Sequence, residues 1–297
     1  MTIVQLEYLL AVANCGSFSQ ASDRCCVTQP SLSMQIKNLE EELGTVLLDR
    51  SRKPVIPTDA GRVVIERARE AVQAFRAVRE SVADLRGEVS GVLRVGILPT
   101  VAPYLLHRLL PVFARRFPRA ELYVREMTTA DLIRALDRDA LDVAVLTGGT
   151  VPAGIREEEL FNDPFYVYLS VGHPLSERSN VRIEDIDARR LLLLSEGNCL
   201  RDQVIELCQL RPDGLEAGPF ECGSLETLMR VVDCTPDTMT VIPEMVLDFI
   251  DERHRAQVKP LAKGATSRKI TMAVRRTCAK KSLVAALREA VLEAVAR

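Results

Sequence analysis

The 297-residue sequence predicts an α/β protein: an N-terminal winged helix-turn-helix, a long helix, and then two α/β lobes with a cleft between them. Three observations carry that reading. Short apolar stripes at helical spacing, separated by capping residues, lead into a basic tip between two extended pieces. One apolar stripe then runs without interruption from Val64 to Leu85. Beyond Gly91, short apolar runs alternate with helical patterns, the signature of strands joined by crossover helices.

The first helix, Val4 to Ala13, places Leu6, Leu9, Leu10 and Ala13 on one face, and Gly16 ends it. Ser17 caps a second helix that carries Phe18, Ala21 and Cys25 inward. Thr28 caps a third. Pro30 fits its first turn, where the N–H that proline lacks would have no helical partner, and Leu32, Ile36, Leu39 and Leu43 form the buried stripe. Gln29, Ser31, Ser33 and Gln35 would then present short polar groups to base edges in the major groove of double-stranded DNA, with Thr28 and Pro30 beside them at the helix start as part of the same DNA-binding set. Arg50, Arg52 and Lys53 form the tip of a wing that meets phosphates or a minor groove. The alternative is a small helical subdomain with one exposed basic loop.

Thr58 and Asp59 start a helix of about seven turns that ends at Leu85. Its stripe of Val64, Ala68, Ala71, Phe75, Val78, Val82 and Leu85 needs a partner, most simply the same helix of a second copy. Gly87, Ser90 and Gly91 mark a hinge. Strands are expected at Val92–Ile97, Leu122–Glu126 and Val143–Leu146, with helices at Val101–Phe117 and Ala130–Asp137 between them. Phe165–Val171 opens a second lobe with further strands at Leu191–Leu194 and Met239–Ile242, and Ile270–Arg275 and Ser282–Ala296 return to the first. The sheet is expected to be parallel, with ligands at the C-terminal ends of its strands. The domains read as 1–58, 59–90 and 91–297, the last divided into lobe I (91–161 and 268–297) and lobe II (162–267).

Composition excludes more than it identifies. With 47% hydrophobic and 27% charged residues the chain reads as an ordinary soluble protein, and a net charge of -2 confines any DNA contact to a local patch. The N-terminus lacks a basic leader and no apolar run approaches the ~18 residues of a membrane span, so a cytoplasmic protein without a membrane partner is expected. Eight cysteines at irregular spacing suggest reduced thiols rather than a disulfide framework. No pair has CxxC spacing and His107, His173 and His254 are scattered, so neither metal nor cofactor is expected. Neither GxSxG nor a phosphate-binding glycine loop is present.

The stretch LLLLSEGNCLRDQVIELC, residues 191–208, carries the chemistry. Leu200, Val204, Leu207 and Cys208 recur at helical steps, which puts Cys199 at a helix N-terminus with Arg201 beside it. A helix dipole and a neighbouring cation both favour the thiolate, the reactive form of cysteine. Nine residues of continuous helix would separate Cys199 from Cys208 by about 13 Å along the axis, whereas a disulfide needs Cα atoms within ~7 Å. If the two bond, the helix between them must unwind. The bland alternative is two small buried residues.

FSQASDRCCVTQPSLSMQIKNLEEELGTVLLDRSRKPVIPTDAG, residues 18–61, resembles the winged helix-turn-helix of LysR-type transcriptional regulators. GILPTVAPYLL, EGNCLRDQVIELC and GSLETL further resemble the hydrogen-peroxide-sensing branch of that family. The resemblance implies a periplasmic-binding-protein-like regulatory domain. It also implies a homodimer or homotetramer that contacts promoter DNA and RNA polymerase and carries no enzyme activity of its own. Cys199 is then the peroxidatic thiol and Cys208 the resolving one, with Thr100, Thr129, Asn198, Asp202 and Arg268 around the peroxide pocket. Two departures stand out. Asn198 occupies a position where histidine is common and cannot titrate near neutrality, and VDCTPDTMTVIP replaces an expected glycine-rich turn and adds Cys234.

Two other functions remain open at this stage: a LysR-type regulator with a small-molecule effector between its lobes, and a thiol peroxidase using Cys199. A recognition helix and wing weigh against the peroxidase. Cys15, Cys25, Cys26, Cys222, Cys234 and Cys278 read as structural.

Overall fold

The computed structural model describes residues 1–85, 89–149, 151–209, 222–262 and 267–296. The chain divides into two compact units, Met1–Glu88 and Val89–Arg297.

In the first unit, α1 (Ile3–Cys15) starts at a capping box between Thr2 and Gln5 and stops at Gly16, whose φ of 65° is left-handed. Ser17 caps α2 (Phe18–Arg24) and Thr28 caps α3 (Gln29–Leu43). Leu32, Ile36 and Leu39 of α3 close a core with Leu9, Val12 and Ala21. Leu43, expected on the same stripe, is 39% exposed, because it is the last helical residue and the chain turns away at Gly44. Strands β1 (Leu48–Asp49) and β2 (Ile56–Pro57) pair antiparallel to form the wing.

The long helix α4 (Asp59–Leu85) begins where the Thr58 hydroxyl accepts from the Gly61 N–H at 2.9 Å. Gly61 is required there, since a Cβ would stand 1.9 Å from the Leu47 carbonyl oxygen. The single stripe expected along α4 splits in two. Ile65, Ala68 and Val72 are buried in the unit's core, while Ala71, Phe75 and Val78 are exposed. The side chains of Val82 and Leu85, and Gly87 of the expected hinge, lie outside the described residues.

The second unit is built on a seven-stranded sheet of order β4-β3-β5-β9-β6-β7, with β8 on β6. Its elements are β3 (Gly91–Ile97), α5 (Ala102–Arg116), β4 (Ala120–Glu126), α6 (Thr129–Asp137), β5 (Val143–Thr147), β6 (Ile155–Leu169), α7 (Cys199–Leu207), α8 (Leu225–Cys234), β7 (Met239–Pro243), β8 (Val258–Pro260), β9 (Ser267–Arg275) and α9 (Lys281–Val295). The sheet is mixed rather than parallel. β3 runs parallel to β4 and β5, whereas β9 is antiparallel to β5 and β6, because the chain returns from the second lobe in the opposite sense.

Strand β6 serves both lobes. Residues 155–164 pair with β9, and residues 165–169 pair with β7, so the passage from one lobe to the other occurs inside one strand. Two cores result, one under β3, β5, β9, α5 and α9, the other under β7, α7, α8 and the end of β6. Leu191–Leu194 does not form the expected strand. Leu191 makes an isolated bridge to Met239, and the Leu192 carbonyl is taken by the Thr240 hydroxyl at 2.9 Å, which ends the ladder there.

Replacing Gly61 by alanine is expected to destabilise the N-terminal unit by about 1–3 kcal/mol, since backbone rather than a mobile side chain must move. Calorimetry of the full chain should show that unit's transition at lower temperature. An unchanged transition would contradict the close approach.

Candidate redox site and nucleic-acid interface

Gly197, at φ 81°, turns the chain into α7, and Asn198 caps it by accepting from the Leu200 N–H at 3.3 Å. The Asn198 amide also donates to the Gly223 carbonyl at 3.5 Å, which ties the cap to the loop before α8. Leu200 and Val204 sink into the second core. Cys199, the first residue of the helix, packs against the first core, while Cys208, its C-cap, packs against the second. Both thiols are free and partly exposed. The helix between them is continuous, so the thiols stand about 12–14 Å apart along its axis.

Arg201, expected as the cation beside Cys199, donates to the Leu194 carbonyl at 3.1 Å and so clasps the start of α7 to the preceding loop. Burial pushes the Cys208 thiol up to about 11. Burial thus favours the protonated form of Cys208 in this fold.

Thr100 and Arg268 come together. Both are 2% exposed, and the Arg268 Nη1 donates to the Thr100 hydroxyl at 3.0 Å while Nη2 donates to the Thr100 carbonyl at 3.0 Å. Arg268 is a buried ion-pair member rather than a surface charge. Its partner is Asp163, which accepts from Nε at 2.9 Å and from Nη2 at 2.8 Å. Sequence reading missed Asp163, because its pairing with Arg268 follows from the β6–β9 register, in which the two residues face each other.

Thr129 does not cap its helix. Thr128 does so, accepting from the Asp131 N–H at 3.3 Å, and the Thr129 hydroxyl oxygen is left buried with no partner among the described residues. Thr100 and Thr129 follow the C-terminal ends of the adjacent parallel strands β3 and β4, the edge at which α/β sheets bind ligands. Asp202 is exposed, on an open groove with Glu196, Arg201 and Glu206.

A further clasp joins the lobes. Tyr104 of α5 is buried in the second lobe's core, stacks edge-on to Phe249 at 5.4 Å and donates to Glu226 at 3.1 Å. Burial, and then the Glu226 carboxylate, hold its phenol well above the ordinary range.

In the N-terminal unit the expected recognition residues divide. Gln29, Pro30 and Ser31 are exposed at the start of α3, and the Thr28 hydroxyl is spent on the cap. Gln35 turns toward α1, accepting from the Gln5 amide at 3.3 Å, and Ser33 accepts from Arg50 at 3.3 Å. The outer face instead continues through Met34, Lys37 and Asn38. Positions 29, 31, 33 and 35 alternate like a strand, whereas a helix exposes residues three and four apart.

The wing residues divide too. Arg50 pairs with Glu40 at 2.8 Å and lies over the Phe18 ring at 5.0 Å, which ties the wing to α2 and α3. The other Glu40 oxygen accepts from the N–H groups of Leu47 and Leu48 at 2.8 and 3.2 Å. Arg52 is 68% exposed beside Asp49, and Lys53 is exposed at the tip.

The family described as "Bacterial regulatory helix-turn-helix protein, lysR family" matches residues 3–62, and that described as "LysR substrate binding domain" matches residues 86–296. The chain belongs to the LysR family. Among LysR relatives it is 33% identical to "DNA-binding transcriptional dual regulator OxyR" of Escherichia coli strain K12, over 98% of this chain and 95% of that protein. It is 35% identical to the "Hydrogen peroxide-inducible genes activator" of Pectobacterium carotovorum, over 93% of this chain and 90% of the relative. Among solved structures, a full-length cysteine-to-aspartate variant of OxyR from Pseudomonas aeruginosa superposes with a TM-score of 0.82 at 28% identity, covering 98% of both chains. A peroxide-bound cysteine-to-serine mutant of OxyR from Corynebacterium glutamicum gives 0.67 at 27% identity, covering 99% of this chain and 92% of that one.

In this LysR-family chain the raised Cys208 value has a direct consequence. Its alkylation rate by iodoacetamide should keep rising with pH until about 11 in the folded reduced protein, and should level off near the ordinary thiol value in denaturant. A folded-state profile that levels off near the ordinary value would contradict the burial of Cys208.

Proposed function

We propose that this LysR-family chain senses hydrogen peroxide through Cys199 and Cys208 and converts their oxidation into altered promoter contacts. Its curated relatives carry peroxide-responsive names across nearly the whole length of the chain. The observation that carries the reading here is one helix with a cysteine at each end, each thiol packed on a different lobe core.

The Cys199 thiolate attacks one oxygen of hydrogen peroxide. An S–O bond forms, the O–O bond breaks, and the leaving hydroxide takes up the proton that the thiol released, giving a sulfenic acid and water. Thr100 and Thr129 supply hydroxyl donors at the strand ends, and Arg268 fixes Thr100. The Cys208 sulfur then displaces hydroxide from the sulfenic sulfur, which yields a disulfide and a second water. Peroxide is thereby reduced to two waters as two thiols are oxidised. Asn198 can cap and orient but cannot titrate, so it offers no proton switch.

Residues 1–58 serve as the DNA-binding domain, 59–90 as the linker and dimerisation helix, and 91–297 as the sensing domain. The exposed Ala71, Phe75 and Val78 face of α4 fits a homodimer or homotetramer, with RNA polymerase as a further partner and the cytoplasm as the place of action. No turnover is needed: one oxidation per site changes the regulator's state.

Peptide mapping by mass spectrometry after a stoichiometric pulse of hydrogen peroxide tests this directly. A Cys199–Cys208 disulfide is expected, reversed by dithiol and absent in Cys199→Ser. Free thiols after the pulse would favour a small-molecule effector between the lobes instead.

A further inference from the structure

Outside the cysteine helix, the second unit holds a buried polar chain, Asp163–Arg268–Thr100. Each acceptor on Asp163 is occupied. Its Oδ2 takes Arg268 Nε and Nη2, and its Oδ1 takes the Met245 backbone N–H at 3.1 Å. Arg268 faces Asp163 across the β6–β9 ladder, so two strands fix the guanidinium from both sides. Its remaining donors point at Thr100, one at the hydroxyl and one at the carbonyl.

A guanidinium only donates, whereas a hydroxyl both donates and accepts. With Arg268 filling the acceptor side of the Thr100 oxygen, the Thr100 hydrogen must point elsewhere. Among the described residues no acceptor takes it. Leu98, Val101 and Ala102, which flank Thr100, belong to the same core against which Cys199 packs.

We propose that Asp163 is a positioning residue for the peroxide reaction: it holds Arg268 so that the Thr100 hydroxyl acts solely as a donor toward the leaving oxygen. The inference rests on the reading of Cys199 as the peroxide-reactive thiol. Thiolate attack on peroxide expels hydroxide, so a donor aimed at that oxygen stabilises the charge as it develops. Alkylation of the same thiolate by iodoacetamide expels iodide, which needs no such donor. The two reagents therefore separate donor geometry from general accessibility.

The test measures both rate constants at Cys199 in the full-length reduced protein, for wild type, Asp163→Asn and Asp163→Glu. Asp163→Asn removes the charge that orients Arg268 and is expected to slow peroxide oxidation by about tenfold or more while iodoacetamide alkylation stays within about twofold. Asp163→Glu keeps the charge but shifts the guanidinium by one methylene, and it should slow peroxide selectively and to a smaller extent. Should Asp163→Asn fail to fold, Asp163→Glu decides by the same ratio. Peroxide rates equal to wild type, or a parallel fall of both rates in folded protein, would overturn the positioning role. A wild-type Cys199 no faster with peroxide than free glutathione would overturn the underlying reading, and with it the role of Asp163.

Discussion

The length of an α-helix is the constraint on which the sensing account depends. A rise of about 1.5 Å per residue keeps the two ends of α7 farther apart than a disulfide can span, so no side-chain rotation brings Cys199 to Cys208. The chain enforces that separation by packing. Cys199 lies against one lobe core, Cys208 against the other, and Leu200 and Val204 fasten the helix between them. A helix of nine residues has little stability of its own in water, so these anchors hold it. Releasing two such side chains costs about 3–6 kcal/mol, which corresponds to roughly 60–130 mV of reduction potential for a two-electron couple. A disulfide formed against that cost is more easily reduced than a structural one, as a reversible signal requires.

Around α7 several polar groups are tied down. The Asp163–Arg268 pair is buried, and removing either partner would leave an uncompensated charge in the interior. Tyr104 and Glu226 clasp the lobes on another side. Between them stands a nine-residue helix fastened to the second core by Leu200 and Val204. In the DNA-binding unit Glu40 plays a comparable part, since it holds the wing against the recognition helix through two backbone N–H groups and Arg50.

Much of this architecture was legible in the sequence because local chemistry determines it. Ser17 and Thr28 cap helices and Gly16 ends one, as their chemistry dictates, and Leu6, Leu9, Leu32, Ile36 and Leu39 of the expected stripes are buried. What escaped depends on register and on neighbours distant in sequence. Asp163 acquires meaning only beside Arg268, 105 residues later, and the polar run that contains it carries no local signal. Leu191–Leu194 has the composition of a strand, but Thr240 takes the carbonyl that a ladder would use. The pairing of Arg50 with Glu40, ten residues earlier on α3, is likewise not legible from the basic run alone. Ser33 and Gln35 read as outward-facing beside the apolar stripe, but both are half-buried through contacts with Arg50 and Gln5, while Met34 and Lys37 are exposed.

The central claim is that bonding Cys199 to Cys208 requires α7 to unwind. Amide hydrogen exchange across residues 199–208, compared between reduced protein and protein oxidised to the disulfide, tests it most directly. The account predicts slow exchange at Leu200 to Cys208 in the reduced state and loss of that protection on oxidation, with β3, β5 and β9 unchanged. Full protection of α7 in a protein shown to carry the disulfide would contradict it.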